Sequence, residues 1–247
     1  WPREAAAVFI LADRTVGGLR ARPRPAARDV LAVGAGRPAQ RDVSLQQHRR
    51  AGQRGGGRPL AGHPAVNKAA KDAIDRYGTS ASASRLVAGE RPIQRELEEA
   101  LAALYEVEDC VVFVSGHATN VSTIGYLFGP KDLVIHDSLI HNSVLEGIKL
   151  SGSTRRSFPH NDTQALDAIL AEIRHQFERV LIVVEGHYSM DGDIPDLPAL
   201  IDIKRRHGCF LMVDEAHALG VLGAKGKGCH EHFDVAGKDV DIWMGTL

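Results

Sequence analysis

Residues 210–228 read FLMVDEAHALGVLGAKGKG and combine an apolar run, an acid, a histidine three places further on and a glycine-rich tail. The apolar run is typical of a buried strand, so Asp214 stands where that strand meets a loop. A buried carboxylate is costly to ionise unless a positive partner faces it. We therefore expect a cation opposite Asp214, with His217 within a turn of the carboxylate.

Short aliphatic runs alternate with helix-like segments from about residue 64 onward. The runs at residues 181–184 and 210–213 lack polar alternation, which indicates strands that are covered on both faces. Residues 63–78 and 91–107 carry apolar residues three and four apart, with a proline near each start, and predict two amphipathic helices. This order predicts an α/β fold with a mostly parallel sheet flanked by helices.

The charge of the chain changes abruptly near its beginning. Residues 1–67 hold twelve Arg, four acids and no Lys, whereas residues 68–247 hold eighteen basic and twenty-seven acidic residues. Proline and glycine interrupt any regular period in the first part, so we expect a disordered or aberrant leader over residues 1–60. A reading-frame shift upstream of about residue 60 would explain the change. We expect a helical segment over residues 61–108 that leads into a large domain over residues 109–247.

Two other interpretations of the leader carry less support. A basic arm for nucleic acid or for an acidic partner lacks the interleaved aromatic residues that such arms use. Gly34, Gly36 and Ala39 form a GxGxxA pattern after an apolar run, as in a dinucleotide site. However, Pro38 is followed by polar, arginine-rich sequence, and no acid follows at about 20 residues, so we predict no dinucleotide site.

The composition argues against several classes of protein. The net charge of −1 gives no sign of nucleic-acid binding, and no run approaches the roughly 18 apolar residues of a membrane helix. The first residues do not resemble a signal peptide. Cys110, Cys209 and Cys229 form no CxxC pair, so we predict buried, reduced cysteines and no zinc site. We expect a cytoplasmic protein without nucleic-acid, membrane or metal partners.

Small and polar residues follow five of the predicted strands, and parallel strands present their carboxyl ends at one edge of a sheet. After the first of these strands, Ser115 and Gly116 open a helix whose free backbone N–H groups suit a phosphate. The later strand ends supply an aromatic ring, hydroxyls and buried acids. The candidate site residues at these ends are Gly116, His117, His141, Glu185, Ser189, Asp214, His217 and Thr246.

Pyridoxal 5'-phosphate (PLP) has parts that match this set. It carries a phosphate, an aromatic face, a phenolic oxygen and a ring nitrogen that must be protonated to act as an electron sink. We therefore predict PLP as the cofactor, with its ring nitrogen as the cation opposite Asp214. Capping or packing explains any one strand end alone, but the ordered set of five disfavours an α/β domain whose histidines and acids merely pack.

Over about residues 64–247 the chain resembles the α-oxoamine synthases, which are PLP-dependent enzymes of fold type I. The resemblance rests on the ordered motifs SGxxxN, DxxxHNS, EGxYSMDGD, VDEAHxxGxxGxxGxG and the terminal MGTL. It implies the large domain of that fold, here incomplete at its C-terminal side. It also implies that Arg85, in a stretch similar to the family's GSR segment, lies near the substrate entrance.

The resemblance implies a role for each candidate residue. His141 would stack on the pyridine ring, Asp214 would pair with the ring nitrogen, and Ser189 and His217 would approach the phenolic oxygen. Glu185 would support the same pocket. His141 and His217 are the implied catalytic side chains.

The phosphate end of the pocket is implied in the same way. Gly116 and His117 would hold the phosphate region, and Thr246 would touch the phosphate.

The activity implied by the resemblance is decarboxylating acyl transfer. An amino acid condenses with acyl-CoA or an acyl-carrier thioester to give an α-aminoketone, CO2 and a free thiol. In this family the lysine that carries PLP follows the terminal threonine within a few residues, whereas the last residue of this chain is Leu247. Lys227 and Lys238 lie outside that motif, so we expect this fragment to be inactive.

The resemblance also implies a homodimer with the active site at the subunit interface. Two alternatives share the fold. One is a PLP-dependent aminotransferase or aldolase-like lyase, and the other is a non-catalytic partner subunit that lacks the lysine.

Overall fold

The computed structural model describes residues 6–10 and 63–247. Within these residues the chain forms one seven-stranded sheet with helices on both faces. The strands are β1 (Ala6–Ile10), β2 (Asp109–Phe113), β3 (Leu133–Asp137), β4 (Thr154–Phe158), β5 (Val180–Glu185), β6 (Phe210–Asp214) and β7 (Ile242–Thr246).

Seven α-helices lie in the described part of the chain, and most are joined to the strands by short loops. They are α1 (Pro64–Tyr77), α2 (Pro92–Tyr105), α3 (Gly116–Leu127), α4 (Asn142–Ser151), α5 (Thr163–Ile173), α6 (Leu197–His207) and α7 (Cys229–His232). The first residue or two of α1, α2 and α6 include a proline, whose fixed backbone angle suits the first helical turn. The two amphipathic helices predicted from the sequence, now α1 and α2, are confirmed.

The strand order is β2-β1-β7-β6-β5-β3-β4, and every neighbouring pair is parallel. The chain passes from β3 to β4 at one edge and then returns to the other side of β3 to form β5. The winding direction therefore reverses between β3 and β5, and ligands of open α/β sheets bind at the carboxyl ends beside such a reversal. The predicted α/β fold with a parallel sheet flanked by helices is confirmed.

Successive strand residues alternate between two apolar cores. Val213 lies in the core beneath α2, α5 and α6, whereas Met212 lies in the core beneath α3 and α4. Asp214 lies two residues after Met212, and Glu185 lies two residues after Val183, which also belongs to the α3/α4 core. Residues two apart in a strand share one face of the sheet. Both acids therefore end their strands on the side of the sheet that α3 and α4 cover.

Two strands lie outside the segments that were predicted to be strands. β4 has the sequence TRRSF, and its first four residues are exposed because β3 is its one neighbour in the sheet. β1 falls within residues 1–60, where we expected a leader, and it pairs with β2 and β7. The rest of that leader and the GxGxxA pattern lie outside the described residues, so those expectations stay predictions.

The three cysteines are all buried and free, as predicted from their spacing. Among the described residues, no cluster of three or more His, Cys, Asp or Glu side chains has the arrangement of a metal site. No helix in this part of the chain has the length and apolarity that crossing a bilayer requires.

Candidate active site

Two buried acids lie side by side at the carboxyl edge of the sheet. Glu185 ends β5 and Asp214 ends β6, and the parallel register places them directly opposite each other. They are 6% and 4% exposed, so neither carboxylate is well solvated. Neighbouring like charges in a poorly solvated position favour the protonated forms.

The hydrogen bonds of Asp214 come from neutral donors. Asn120 Nδ2 donates to Oδ2 at 2.8 Å, and the backbone N–H of Ala216 donates to Oδ1 at 3.0 Å. Burial raises the pKa of Asp214, and these donors together with the nearby His141 and His217 only partly oppose the shift. A carboxylate accepts about four hydrogen bonds, so Asp214 retains lone pairs for a cationic ligand.

A chain of polar contacts connects Asp214 to His141. Asn120 Nδ2 also donates to Ser143 Oγ at 2.9 Å, and Ser143 Oγ lies 2.7 Å from His141 Nδ1. The backbone N–H of Ser143 donates to the same ring nitrogen, so His141 caps the start of α4. The imidazole is thereby held at the strand end with its orientation fixed. Asn120 and Ser143 belong to the motifs SGxxxN and DxxxHNS, but they are not among the predicted site residues.

Close packing of α3 on α4 makes this chain of contacts possible. Gly147 of α4 lies against α3, and a Cβ there would lie 2.8 Å from the Asn120 carbonyl oxygen. The missing side chain lets the two helices approach closely, which brings Asn120 within hydrogen-bonding distance of Ser143. Asn120 Oδ1 is buried and has no hydrogen-bond partner among the described residues. An acceptor is therefore left beside Asp214.

Glu185 holds the backbone around the site. Burial and the charge of Asp214 raise its pKa to about 8, while hydrogen bonds from the backbone of His141 and Ser189 act in the opposite direction. Its carboxyl group thus contacts the segments that carry two of the predicted ring-binding residues. The supporting role in the cofactor pocket that the resemblance implies for Glu185 stays a prediction.

The candidates for the phosphate lie at the same sheet edge. Gly116 is the first residue of α3, and Ser115 Oγ caps that helix by accepting from the backbone N–H of Ala118 at 3.2 Å. His117 is exposed in its first turn, and Thr246 ends β7 half-buried. Within the described residues, no side-chain hydrogen bond or ion pair joins these three residues to the group around Asp214.

Arg85 takes part in an ion-pair cluster with two glutamates. Its guanidinium contacts Glu90 at 2.6 Å and the buried Glu98 at 2.5 Å. Glu98 also accepts from the backbone N–H of Val112 on β2 at 2.9 Å. The guanidinium therefore ties its loop to α2 and, through Glu98, to the sheet.

A second buried glutamate, Glu215, was not recognised from the sequence. It follows Asp214 but has the opposite parity, and its carboxylate accepts from the backbone N–H of Cys229 at 3.0 Å and from Tyr105 Oη at 3.3 Å. Burial raises its pKa to about 7, which these hydrogen bonds partly oppose. Gly228 has a φ of 96°, and a Cβ there would overlap Glu215 Oε2. The last glycine of the 210–228 stretch thus makes room for the carboxylate that anchors the loop.

A histidine that the sequence analysis did not select bridges two further acids near the site. His160 Nδ1 lies 2.9 Å from Asp137 Oδ1, and His160 Nε2 lies 2.6 Å from Asp193 Oδ2. Asp137 and Asp193 lie in the DxxxHNS and EGxYSMDGD motifs, but His160 lies in neither.

Residues 57–247 match the family described as aminotransferase class I and II. The chain belongs to this family. An 8-amino-7-oxononanoate synthase of Geobacter sulfurreducens is 48% identical over 188 residues, which cover 76% of this chain and 48% of that protein. A serine palmitoyltransferase of Bacteriovorax stolpii is 42% identical over 188 residues, covering 76% and 44%. The chain therefore spans about half the length of the curated relatives it matches.

Solved structures lead to the same group of enzymes. A Sphingomonas wittichii serine palmitoyltransferase superimposes with a TM-score of 0.70 at 34% identity, covering 74% of this chain and 46% of that one. A serine palmitoyltransferase from S. paucimobilis with a bound PLP-myriocin aldimine has a TM-score of 0.71 at 32% identity, with the same coverage. The predicted likeness to the α-oxoamine synthases and to PLP fold type I is confirmed, and so is PLP as the cofactor of these relatives.

Proposed function

We propose that this chain supplies the PLP-binding part of an acyltransferase that condenses an amino acid with an acyl thioester. The products are an α-aminoketone, CO2 and the free thiol. The observation that carries the proposal is Asp214, a buried carboxylate that accepts hydrogen bonds from two neutral groups of the described residues, the Asn120 side chain and the backbone N–H of Ala216. When bound, PLP supplies an electron sink for the negative charge that forms at the substrate Cα.

The residues at the sheet edge fit the ring of PLP. Asp214 has unused lone pairs, so it would accept the N–H of the pyridinium and keep that nitrogen protonated. The contacts through Asn120 and Ser143 hold the His141 ring against rotation, as stacking on a flat ligand requires. Glu185 would keep the backbone of His141 and Ser189 in place.

The remaining candidates have the chemistry that the other ends of the cofactor need. Gly116 at the start of α3 offers backbone N–H groups and the positive end of a helix dipole to the phosphate. We propose that His117 and Thr246 complete this phosphate site, with donors from the imidazole and the hydroxyl. We propose that Ser189 and His217 donate to the phenolic oxygen. His217 is close enough to the site for its charge to oppose the raised pKa of Asp214.

The substrate class rests on the relatives. Relatives named 8-amino-7-oxononanoate synthase and serine palmitoyltransferase favour acyl transfer from acyl-CoA or an acyl-carrier thioester to an amino acid. We also propose a cytoplasmic homodimer, as the family resemblance implies. An aminotransferase of the same fold remains the alternative, because the matching family includes such enzymes.

The cofactor proposal can be tested without any turnover. Pyridoxamine 5'-phosphate carries the ring nitrogen, phenolic oxygen and phosphate of PLP, but it forms no imine with surface lysines. We expect it to bind the purified chain in equilibrium dialysis, and pyridoxamine, which lacks the phosphate, to bind at least about tenfold more weakly. Equal affinity for both compounds, or no binding of either, would contradict the proposed site.

The reaction class needs a second assay, in a gene product that extends past Leu247 and carries the lysine. Thiol release from acyl-CoA that depends on an added amino acid would support acyl transfer. Formation of a 2-oxo acid from the amino acid without an acyl thioester would support the aminotransferase.

A further inference from the structure

Asp137, His160 and Asp193 form a cluster that the proposed function does not use, and we call it the histidine clamp. Asp137 ends β3, His160 follows β4, and Asp193 lies in the loop after β5. The two aspartates contact different nitrogens of the one imidazole, at 2.9 and 2.6 Å. Since each nitrogen faces a carboxylate oxygen, both can donate at once when the ring is protonated.

The neighbouring Asn161 strengthens the clamp. Its backbone N–H donates to Asp137 Oδ2 at 2.9 Å, and its side-chain Nδ2 donates to Asp193 Oδ2 at 3.0 Å. Asn161 has a φ of 55°, a backbone conformation that asparagine tolerates better than most residues. Two consecutive residues after β4 therefore bridge the same pair of acids.

The clamp closes the turn that connects Glu185 to Asp193. The backbone N–H of Tyr188 donates to the Asp193 carbonyl at 3.0 Å, and that of Gly192 donates to the Tyr188 carbonyl at 2.8 Å. The His160 ring meets the Tyr188 ring edge-on at 4.5 Å between centroids. The clamp thus holds the turn that carries Ser189, whose backbone N–H donates to Glu185.

We propose that His160 is a positioning residue that, as a cation between Asp137 and Asp193, holds the 185–193 turn in the conformation that presents Ser189 to the site. The identity of the ligand that Ser189 would contact rests on the proposed function. The clamp itself is a property of the chain without cofactor.

The charges that face His160 determine how the clamp responds to pH. Asp137 faces it from β3 and Asp193 from the turn, while Tyr188 and Glu185 are the titratable groups of the β5 end. Burial opposes protonation of His160, but its hydrogen bonds to the two aspartates outweigh burial and raise its pKa. With both aspartates ionised, the clamp is therefore complete below the ordinary pKa of histidine and is lost as the pH rises through this raised pKa.

Two variants and one control test the proposal. His160→Ala removes both contacts, whereas His160→Gln can restore one of them. His207→Ala is the matched control, because His207 also contacts a carboxylate, Asp167 at 2.7 Å, but lies at the end of α6 away from the site. We expect amide hydrogen exchange at Tyr188 and Gly192 to quicken at least about tenfold in His160→Ala, less in His160→Gln and not in the control.

Binding of pyridoxamine 5'-phosphate gives the second readout. We expect the Kd to rise at least about fivefold in His160→Ala. The rise should be larger than in a control variant whose Tm is lowered by the same amount. Unchanged exchange and unchanged affinity, with only a lower Tm, would overturn the proposal and leave His160 a packing residue. Faster exchange in a chain whose wild type binds no pyridoxamine 5'-phosphate would support the clamp and contradict the proposed function instead.

If the variants fail to fold, a measurement on the wild-type chain still tests the proposal. NMR titration of the His160 ring should give a midpoint above that of an ordinary histidine, and protection of Gly192 should fall with the same midpoint. Protection that is independent of this titration would refute the clamp.

Discussion

Replacing Asp214 by Asn should weaken ligand binding and reduce the loss of stability that the empty chain shows as the pH rises. The substitution removes the charge but keeps the shape of the side chain. Burial raises the pKa of Asp214, so the unfolded chain ionises this group at a lower pH than the folded chain does. Stability is therefore lost as the pH rises from the ordinary aspartate range through the raised pKa, and Asp214→Asn should remove this part of the pH dependence.

The new amide changes the hydrogen bonds of its neighbour. Asn120 Nδ2 donates to both Asp214 and Ser143, while Asn120 Oδ1 has no partner among the described residues. A flip of the Asn120 amide would let Oδ1 accept from the new amide. Nδ2 would then lie in the buried position where Oδ1 has no partner, and this unsatisfied donor would cost about 1–3 kcal/mol at every pH. The expected signature of the substitution is therefore a change in pH dependence.

The binding loss follows from one hydrogen bond. Asp214 would accept a single N–H from a protonated ring, and a hydrogen bond to a charged group contributes about 1.5–3 kcal/mol. At about 1.4 kcal/mol per factor of ten, the Kd for pyridoxamine 5'-phosphate should rise about 10- to 140-fold. The loss should be similar with or without the phosphate, because the ring N–H and the phosphate would be bound by different residues of the proposed site.

The assays are thermal unfolding at about pH 5 and about pH 8 without ligand and equilibrium dialysis with pyridoxamine 5'-phosphate. Asp202→Asn is the control, because the Asp202 side chain is 73% exposed and lies on α6. It should change neither the fall in Tm between the two pH values nor the Kd. A variant at position 214 that binds as tightly as the wild type, or whose Tm falls as much with pH, would refute the assignment of this carboxylate to a cationic ring.

Two further predictions concern the neighbouring acids. The pKa of Glu185 is raised from 4.5 to about 8, so the free energy of unfolding should fall by a few kcal/mol between about pH 5 and pH 8. Urea titrations at several pH values should show this fall in the wild type and a smaller fall in Glu185→Gln. An equal fall of the free energy of unfolding with pH in both proteins would contradict the prediction. Gly228→Ala should cost at least about 2 kcal/mol, because of the positive φ and the overlap with Glu215. Gly129→Ala, with open space around its Cβ, should cost less than about 1 kcal/mol in the same urea assay. An equal loss of stability in the two variants would contradict the close packing of Gly228 against Glu215.

Strand ends were predictable because apolar runs without polar alternation mark buried parallel strands. The runs that end at Glu185 and Asp214 are fully apolar, and both acids lie at the predicted edge. The partners of Asp214 could not be predicted in the same way. Asn120 lies 94 residues away in sequence, and its contact depends on the approach of α3 to α4 at Gly147. No local pattern carries that information.

His160 escaped prediction for a different physical reason. The strand before it, β4, is an edge strand with exposed polar residues, so it lacks the apolar run that marks the other strands. Without that run, the end of β4 did not stand out as a strand end. β1 was missed because it lies in the arginine-rich part, where composition argued against any regular element.

The concentration of acids at one sheet edge is the property that most separates this region from an ordinary core. Asp137, Glu185, Asp214 and Glu215 are all nearly inaccessible to solvent, and burial raises the pKa of the last three. Each of these three carboxylates costs folding free energy when it is ionised, and their mutual repulsion adds to that cost. A fold selected only for stability would replace them with apolar side chains of similar volume. A protonated ring bound at Asp214 would offset part of this cost, because it adds a positive charge beside a carboxylate whose nearby histidines, His141 and His217, only partly oppose the raised pKa.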